Sequence, residues 1–375
     1  MAVSAQTDIR ALLTRGTRLS ELPDHLRRSN LPGMAGMSIR AGLRAYFSTY
    51  RIAGVSNVLA QDSKSDPSYE SFRPECRPDY VEAYTESILR FHFGIELAIK
   101  EILRQKHPLL ASSNMTEAAV LLCRMLNDEQ ISFEDEESLK STQFSGALER
   151  VLKLQKKGLL GGDLSIIVAN QPLLEGLNTL RNKIIHRGLF VMDYAAFDTV
   201  ASAHIIPFLA KFLELPQFKN LSNERVFSAT VLPWKHKALA CDIDPLEEIV
   251  KIREDSESAR KKLAYLKELG RAAFQNPLYA RETGMAFYAA DDSIAKCRAE
   301  DLAKHELMNP ATHSYDDAHK ILDCPVCRLN TLVCYHDTDG NDTEVICTCC
   351  SFSIKRYLGN ASNYGLPIVD FWPAE

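Results

Sequence analysis

The 375-residue chain has no uninterrupted apolar run near the ~20 residues a membrane-spanning helix needs, so embedding in a bilayer is not expected. Residues 1–9 carry no basic stretch followed by an apolar core, so a secretory signal is not expected there. There is no GxxxxGK[ST] phosphate loop, no GxSxG elbow and no HExxH helix, which argues against P-loop, α/β-hydrolase and HExxH-type metal chemistry. Internal repeats and low-complexity tracts are absent. A strong charge of one sign is lacking too: the net charge of −5 does not mark a general polyanion binder. The cysteines do not form a dispersed disulfide framework. Six of the ten crowd into residues 324–350, while Cys76, Cys123, Cys241 and Cys297 are scattered and read as ordinary thiols. That pattern fits one metal site in a reducing, cytoplasmic setting.

What is present is the composition of an ordinary globular protein, 46% hydrophobic and 25% charged, long enough for two or three domains. Residues 1–60 read as helical, over 8–22 and 37–59, broken at Asn30-Leu31-Pro32-Gly33. They hold eight arginines, no lysine and three acids (Asp8, Glu21, Asp24), a local balance of +5. This is either a phosphate-facing surface or an ordinary solvated one. Residues 61–78, rich in Ser, Asp, Glu and Pro, read as a linker. In 79–216, Val81, Tyr84, Ile88, Phe91, Ile95, Ala98 and Ile102 make an apolar stripe at helical spacing. Further helices are expected over 115–126, 147–154 (ended by Lys157-Gly158), 172–188 and 194–215, the last kinked at Pro207. The acidic run 134–137 reads as solvated surface and Gly161-Gly162 as a turn. Short connections suggest an up-and-down bundle. Residues 217–320 are mixed. Strand-like pieces surround Trp234, a charged helix over 244–270 is expected to carry Glu248, Arg253, Lys261 and Lys267 outward, and residues 281–307 add another helix.

The helix over 172–188 carries the chemistry. Leu173, Leu177, Leu180 and Ile184 form its apolar stripe, Pro172 suits its first turn and Gly188 its end. Near that end stands Arg181-Asn182-Lys183-Ile184-Ile185-His186. Asn182 and His186 share a face, and the Arg181 side chain is long enough to reach round to it. A guanidinium stabilises a pentavalent phosphate through forked hydrogen bonds, and an imidazole moves protons near neutral pH. Those are the groups that metal-free RNA cleavage requires. A helix terminus ornament or a buried polar network is the plain alternative. Of the remaining histidines, His92 reads as packed or partly exposed, and His204, His236, His305, His313 and His319 lack partners at metal or triad spacing.

Arg-Asn-x-x-x-His on a late helix, preceded by FHFGIELAIKEIL at 91–103, resembles the HEPN superfamily over about residues 79–215. The resemblance implies a helical bundle and a metal-independent endoribonuclease of antiviral defence or toxin activity. It implies a homodimer with two motif copies across a cleft, an RNA substrate, and products ending in 2′,3′-cyclic phosphate and 5′-hydroxyl. His186 would be the general acid or base, Arg181 would neutralise the phosphorane, and Asn182 would orient either. A regulatory protein partner would fit such an enzyme. Some HEPN domains are non-catalytic, so a HEPN and zinc-ribbon protein that dimerises or binds nucleic acid is the alternative.

In 321–375 the second signal is Cys324-Pro-Val-Cys327, nineteen residues, then Cys347-Thr-Cys349-Cys350. Two residues between thiolates let one turn aim both sulfurs at a tetrahedral ion. Strands over 331–336 and 343–346, a turn at Asp339-Gly340 and a third strand over 353–358 complete a zinc ribbon. Cys324, Cys327, Cys347 and Cys350 are the expected ligands of a structural Zn2+, with Cys334, His336 and Cys349 as nearby competitors. Cys334 and His336 share one strand face. The segment's charge of −1 (Arg328, Lys355 and Arg356 against Asp337, Asp339, Asp342 and Glu344) does not favour phosphate. The expected fold is mainly α: a HEPN-like bundle with a helical N-terminal extension and a small C-terminal β ribbon.

Overall fold

A computed structural model describes residues 34–53, 74–113, 115–127, 129, 140–160, 163–188, 190–219, 243–252, 256–276, 292–308 and 317–373. The protein is mainly α-helical, with a four-stranded antiparallel sheet near its C-terminal end. The expected helix over 8–22, the pieces around Trp234, the run 134–137, the Gly161-Gly162 turn and Arg253 lie outside the described residues.

Two helices form the spine, α1 (Met34–Ala53) and α2 (Pro78–Lys106). Tyr84, Ile88, Phe91, Ile95, Ala98 and Ile102 of the stripe are buried along α2. Small residues let the two helices touch backbone to backbone. A Cβ at Gly94 would lie 2.6 Å from the Ile39 side chain and 2.9 Å from the Ala35 carbonyl. Hydroxyls fasten the crossing: Ser38 donates to Arg90 O (2.8 Å) and Ser87 to Gly42 O (3.2 Å). α3 (Met115–Leu126) follows, then α4 (Phe144–Lys156), which stops at Lys157 before Gly158 with φ +67. α5 (Gln171–Arg187) ends on left-handed Gly188, whose N–H returns to Ile184 O at 3.1 Å.

α6 (Tyr194–Val200) runs through a π-helical turn at Ala201–Ile205 into α7 (Ile206–Phe212). The expected kink is this widened turn. Pro207 has no N–H to donate, and Ile206 N instead reaches five residues back to Ala201 O.

The region expected as one charged helix over 244–270 is two. α8 (Pro245–Lys251) is capped by the Asp244 carboxylate, and α9 (Glu257–Gln275) by the Ser256 hydroxyl. Each cap satisfies first-turn amides, so each starts a helix of its own. The outward placement of Lys267 is also corrected. Lys267 is fully buried, 2.6 Å from Asp198 Oδ1 and 2.9 Å from the Tyr194 hydroxyl, with the Tyr46 and Tyr194 rings against its ammonium. Asp198 stands on α6, 69 residues away, so the partner that holds this charge inside is invisible in local sequence. Burial lowers the Lys267 pKa, and Asp198 opposes that shift.

The sheet runs in the order β1 (Asp317–Asp323), β2 (Asn330–His336), β3 (Asp342–Cys347) and β4 (Ser353–Lys355). β1 adds a strand to the three expected, and a 3-10 turn (Arg356–Leu358) replaces the second half of the last. α10 (Asp292–Met308) covers one sheet face, packing Ala303 on Ala318, Val333 and Tyr335. The ribbon's other apolar residues, among them Val326, Phe352, Ile354, Leu358 and Trp372, join the same core as the helices. Tyr265 on α9 donates to Gly359 O at 2.6 Å. Among the described residues, no helix is long and apolar enough to cross a membrane.

Candidate functional site

The last two turns of α5 sit differently from its first half. Leu174 is buried completely and Leu177 nearly so, whereas Leu173, Leu180 and Ile184 only lean on the core. Ile185 is exposed, as are Phe93 on α2 and Phe190 beyond the helix. The motif therefore sits on a helix end that its own chain covers incompletely. Between α2 and α5 opens a groove of about 1030 Å³, lined by Arg90, His92, Phe93, Glu96, Arg181 and Ile185 and, further along α2, by Glu82, Glu86 and Leu89.

Arg181 and Asn182 are brought together, with Arg181 Nη1 donating to Asn182 Oδ1 at 2.8 Å. His186 is exposed on the last turn and is not part of the groove wall. Among the described residues no hydrogen bond ties His186 to the other two. The guanidinium of Arg181 thus bonds to a neutral amide. Arg90, by contrast, faces Glu86 at 3.7 Å. A half-buried cation without a carboxylate partner among the described residues leaves its charge available to an anion.

The groove also holds a group that sequence reading placed only as packing. His92 is 3% exposed. Its Nε2 lies 3.1 Å from Asn178 Oδ1, one turn before the motif, and its Nδ1 lies 3.8 Å from Glu96, which accepts from Lys100 Nζ at 2.6 Å. An amide oxygen only accepts, so His92 donates through Nε2. Burial is the main cause that lowers its pKa. The signal was present as three polar residues, His92, Glu96 and Lys100, at successive four-residue steps beside the apolar stripe of the helix.

In the ribbon, Cys324, Cys327, Cys347 and Cys350 are all buried, and their sulfurs lie within 4.8 Å of one another. The Cys324–Cys350 and Cys327–Cys347 pairs are each 3.6 Å apart. That is too far for a disulfide, whose S–S bond is about 2.05 Å. It is close to the ~3.8 Å edge of a tetrahedron with metal–sulfur bonds of about 2.3 Å. Backbone amides point at the sulfurs, from Val326 to Cys324 at 3.4 Å and from Cys349 and Cys350 to Cys347 at 3.3 and 3.4 Å. Such donors stabilise thiolate charge. Burial pushes the Cys324 and Cys350 thiols up, while hydrogen bonds from neighbouring thiols hold Cys327 and Cys347 down. The four cysteines can hold a metal ion. Cys334, His336 and Cys349 are not in that group. Cys334 is buried in β2, where burial pushes its thiol up to about 11.

No protein-family model matches the chain, and neither does any curated protein or any solved structure.

Proposed function

We propose that the chain is a metal-independent endoribonuclease of HEPN type, acting as a homodimer, with a structural zinc in its ribbon. The observation that carries this reading is Arg181: a half-buried guanidinium bonded to Asn182 and, among the described residues, to no carboxylate, at the mouth of a groove, one turn before an exposed histidine. A second copy laid on the incompletely covered end of α5 would bury Ile185 and Phe190 and bring a further motif to the same place. The 2′-hydroxyl of RNA attacks the adjacent phosphate, His186 carries the proton, and Arg181 meets the phosphorane charge. Asn182 fixes the guanidinium plane. The zinc takes no part, since four thiolates leave no position for water.

Purified protein incubated with RNA and a chelator of magnesium tests the proposal. Wild type cleaves and leaves 2′,3′-cyclic phosphate ends, whereas Arg181→Ala and His186→Ala lose about 100-fold or more. Full activity in either variant sinks the mechanism, and so does a requirement for added magnesium. One observation favours a non-catalytic dimerisation module instead: Glu82, Glu86 and Glu96 outnumber Arg90 and Arg181 along the groove, which opposes a polyanion lying along its length. Bacterial expression separates the two readings. Toxicity limited to wild type, and absent from His186→Ala, marks an enzyme, while equal harmlessness with intact dimers marks the module.

A further inference from the structure

His319, set aside in sequence because nothing stands near it at metal or triad spacing, is not alone in the fold. It lies on β1 where the pairing with β2 slips between Ala318 and Lys320. The slip leaves its ring 4.9 Å, centroid to centroid, from that of His336 on β2. His336 in turn pairs across the sheet with Asp342 on β3, and His319 Nε2 lies 3.3 Å from Asp342 Oδ1. Two imidazoles and a carboxylate from three neighbouring strands therefore share one patch. Leu332 pairs with Cys347 at the thiol end of the β2–β3 hairpin, and His336 pairs with Asp342 at the other end. Four residues of strand separate the two ends, roughly 13 Å.

We propose that His319, His336 and Asp342 form a second metal site, for a divalent transition ion of the zinc class, independent of the four cysteines and of the nuclease reading. Two features point to it. The 3.3 Å between His319 Nε2 and Asp342 Oδ1 is long for a hydrogen bond, yet it equals the ~3.3 Å edge of a tetrahedron with bonds of about 2.0 Å. His336 Nδ1 sits 2.9 Å from the Asp337 carbonyl. A carbonyl only accepts, so in this rotamer Nδ1 carries the proton and Nε2 keeps its lone pair. The second oxygen of Asp342 faces Arg356 Nη1 at 3.6 Å, which orients the carboxylate as outer partners of metal ligands do. Among the described residues only the four cysteines already have their donor atoms within 4.8 Å of one another, so His336 must turn about its side-chain torsions to close the set, giving up its bond to the Asp337 carbonyl. The His319 side chain is 35% exposed, which gives the ion a route in and leaves water as the fourth ligand. Imidazole with carboxylate selects zinc, nickel, cobalt or copper over magnesium and calcium.

Equilibrium dialysis of the full chain against zinc, with metal counted by elemental analysis, tests the site. Wild type is expected to hold two equivalents. His319→Ala and His336→Ala each hold one, and Asp342→Asn weakens the second at least tenfold. A wild type with a single equivalent overturns the proposal, as does a second equivalent that survives both histidine substitutions. Cobalt gives a readout that needs no variant. The second equivalent binds with no added thiolate-to-cobalt charge-transfer absorption, and an increase in that absorption would place the ion among cysteines and overturn the site.

Discussion

Two polar clusters on two helices of this protein are built on opposite plans. On α9, Glu268 is completely buried and has its oxygens taken up by Arg51 (3.0 Å), by both ends of Arg271 (2.6 and 2.7 Å) and by the backbone N–H of Ser353 (2.7 Å). Arg51 and Arg271 together donate to Ser351 O, whose residue holds a left-handed φ of 57 directly after Cys350. Every charge there meets its opposite, and the cluster grips the backbone of the cysteine turn. On α5, Arg181 meets only an amide among the described residues, and His186 faces solvent. A buried ionic network must be complete to offset its desolvation. An incomplete one is tolerated only near water, where its groups stay available to a partner from outside. The first arrangement is structural, and the second is what a binding or reacting surface requires.

The sharpest way to break the comparison is to strip metal from the four cysteines, beside the backbone that the α9 cluster grips. Structural tetrathiolate zinc sites in small domains are worth on the order of 10 kcal/mol. Stripping the ion with a strong chelator should therefore remove hydrogen-exchange protection from β2 and β3, and from α9 through Ser351 and Ser353, while α2 and α5 keep theirs. If the ribbon amides stay protected without metal, the cysteines do not hold this unit together.

Next in size is Glu268→Gln. It leaves the buried Arg271 guanidinium, with the partly exposed Arg51 beside it, facing a neutral amide, at a cost of about 3–5 kcal/mol, read from the urea midpoint. His186→Ala on the open cluster should move the same midpoint by less than about 0.5 kcal/mol. Equal losses would mean that the α5 end is as structural as α9, and the nuclease reading would lose its main support.

The difference also explains what could be read beforehand. The α2 stripe, the Gly188 stop and the C-x2-C pairs are local patterns whose physics is complete within one turn or one helix, and they were legible. Lys267, Glu268 and Arg271 were not. A charged triplet on a charged helix reads as solvent-facing, and its partners Asp198, Arg51 and Ser351 lie 69, 217 and 80 residues away. β1 escaped for the same reason, because Asp317–Asp323 alternates poorly and is a strand only by pairing with β2. Asn178 and His92, 86 residues apart, are joined only when α5 crosses α2.

That last contact gives the smallest effect and the finest probe of the open cluster. Burial lowers the folded-state pKa of His92 below its ordinary 6.5. The unfolded chain therefore takes up a proton near pH 6.5 that the folded chain still refuses. Between the lowered folded value and 6.5 the unfolded state binds more protons, so stability falls as pH falls through that window and is fully present above it. His92→Gln keeps a donor for Asn178 without the titration, and should flatten this part of a stability-against-pH curve measured by urea melts. If the His92 variant keeps the full slope instead, burial of this ring does not set the curve, and the division between a closed wall and an open helix end must be redrawn.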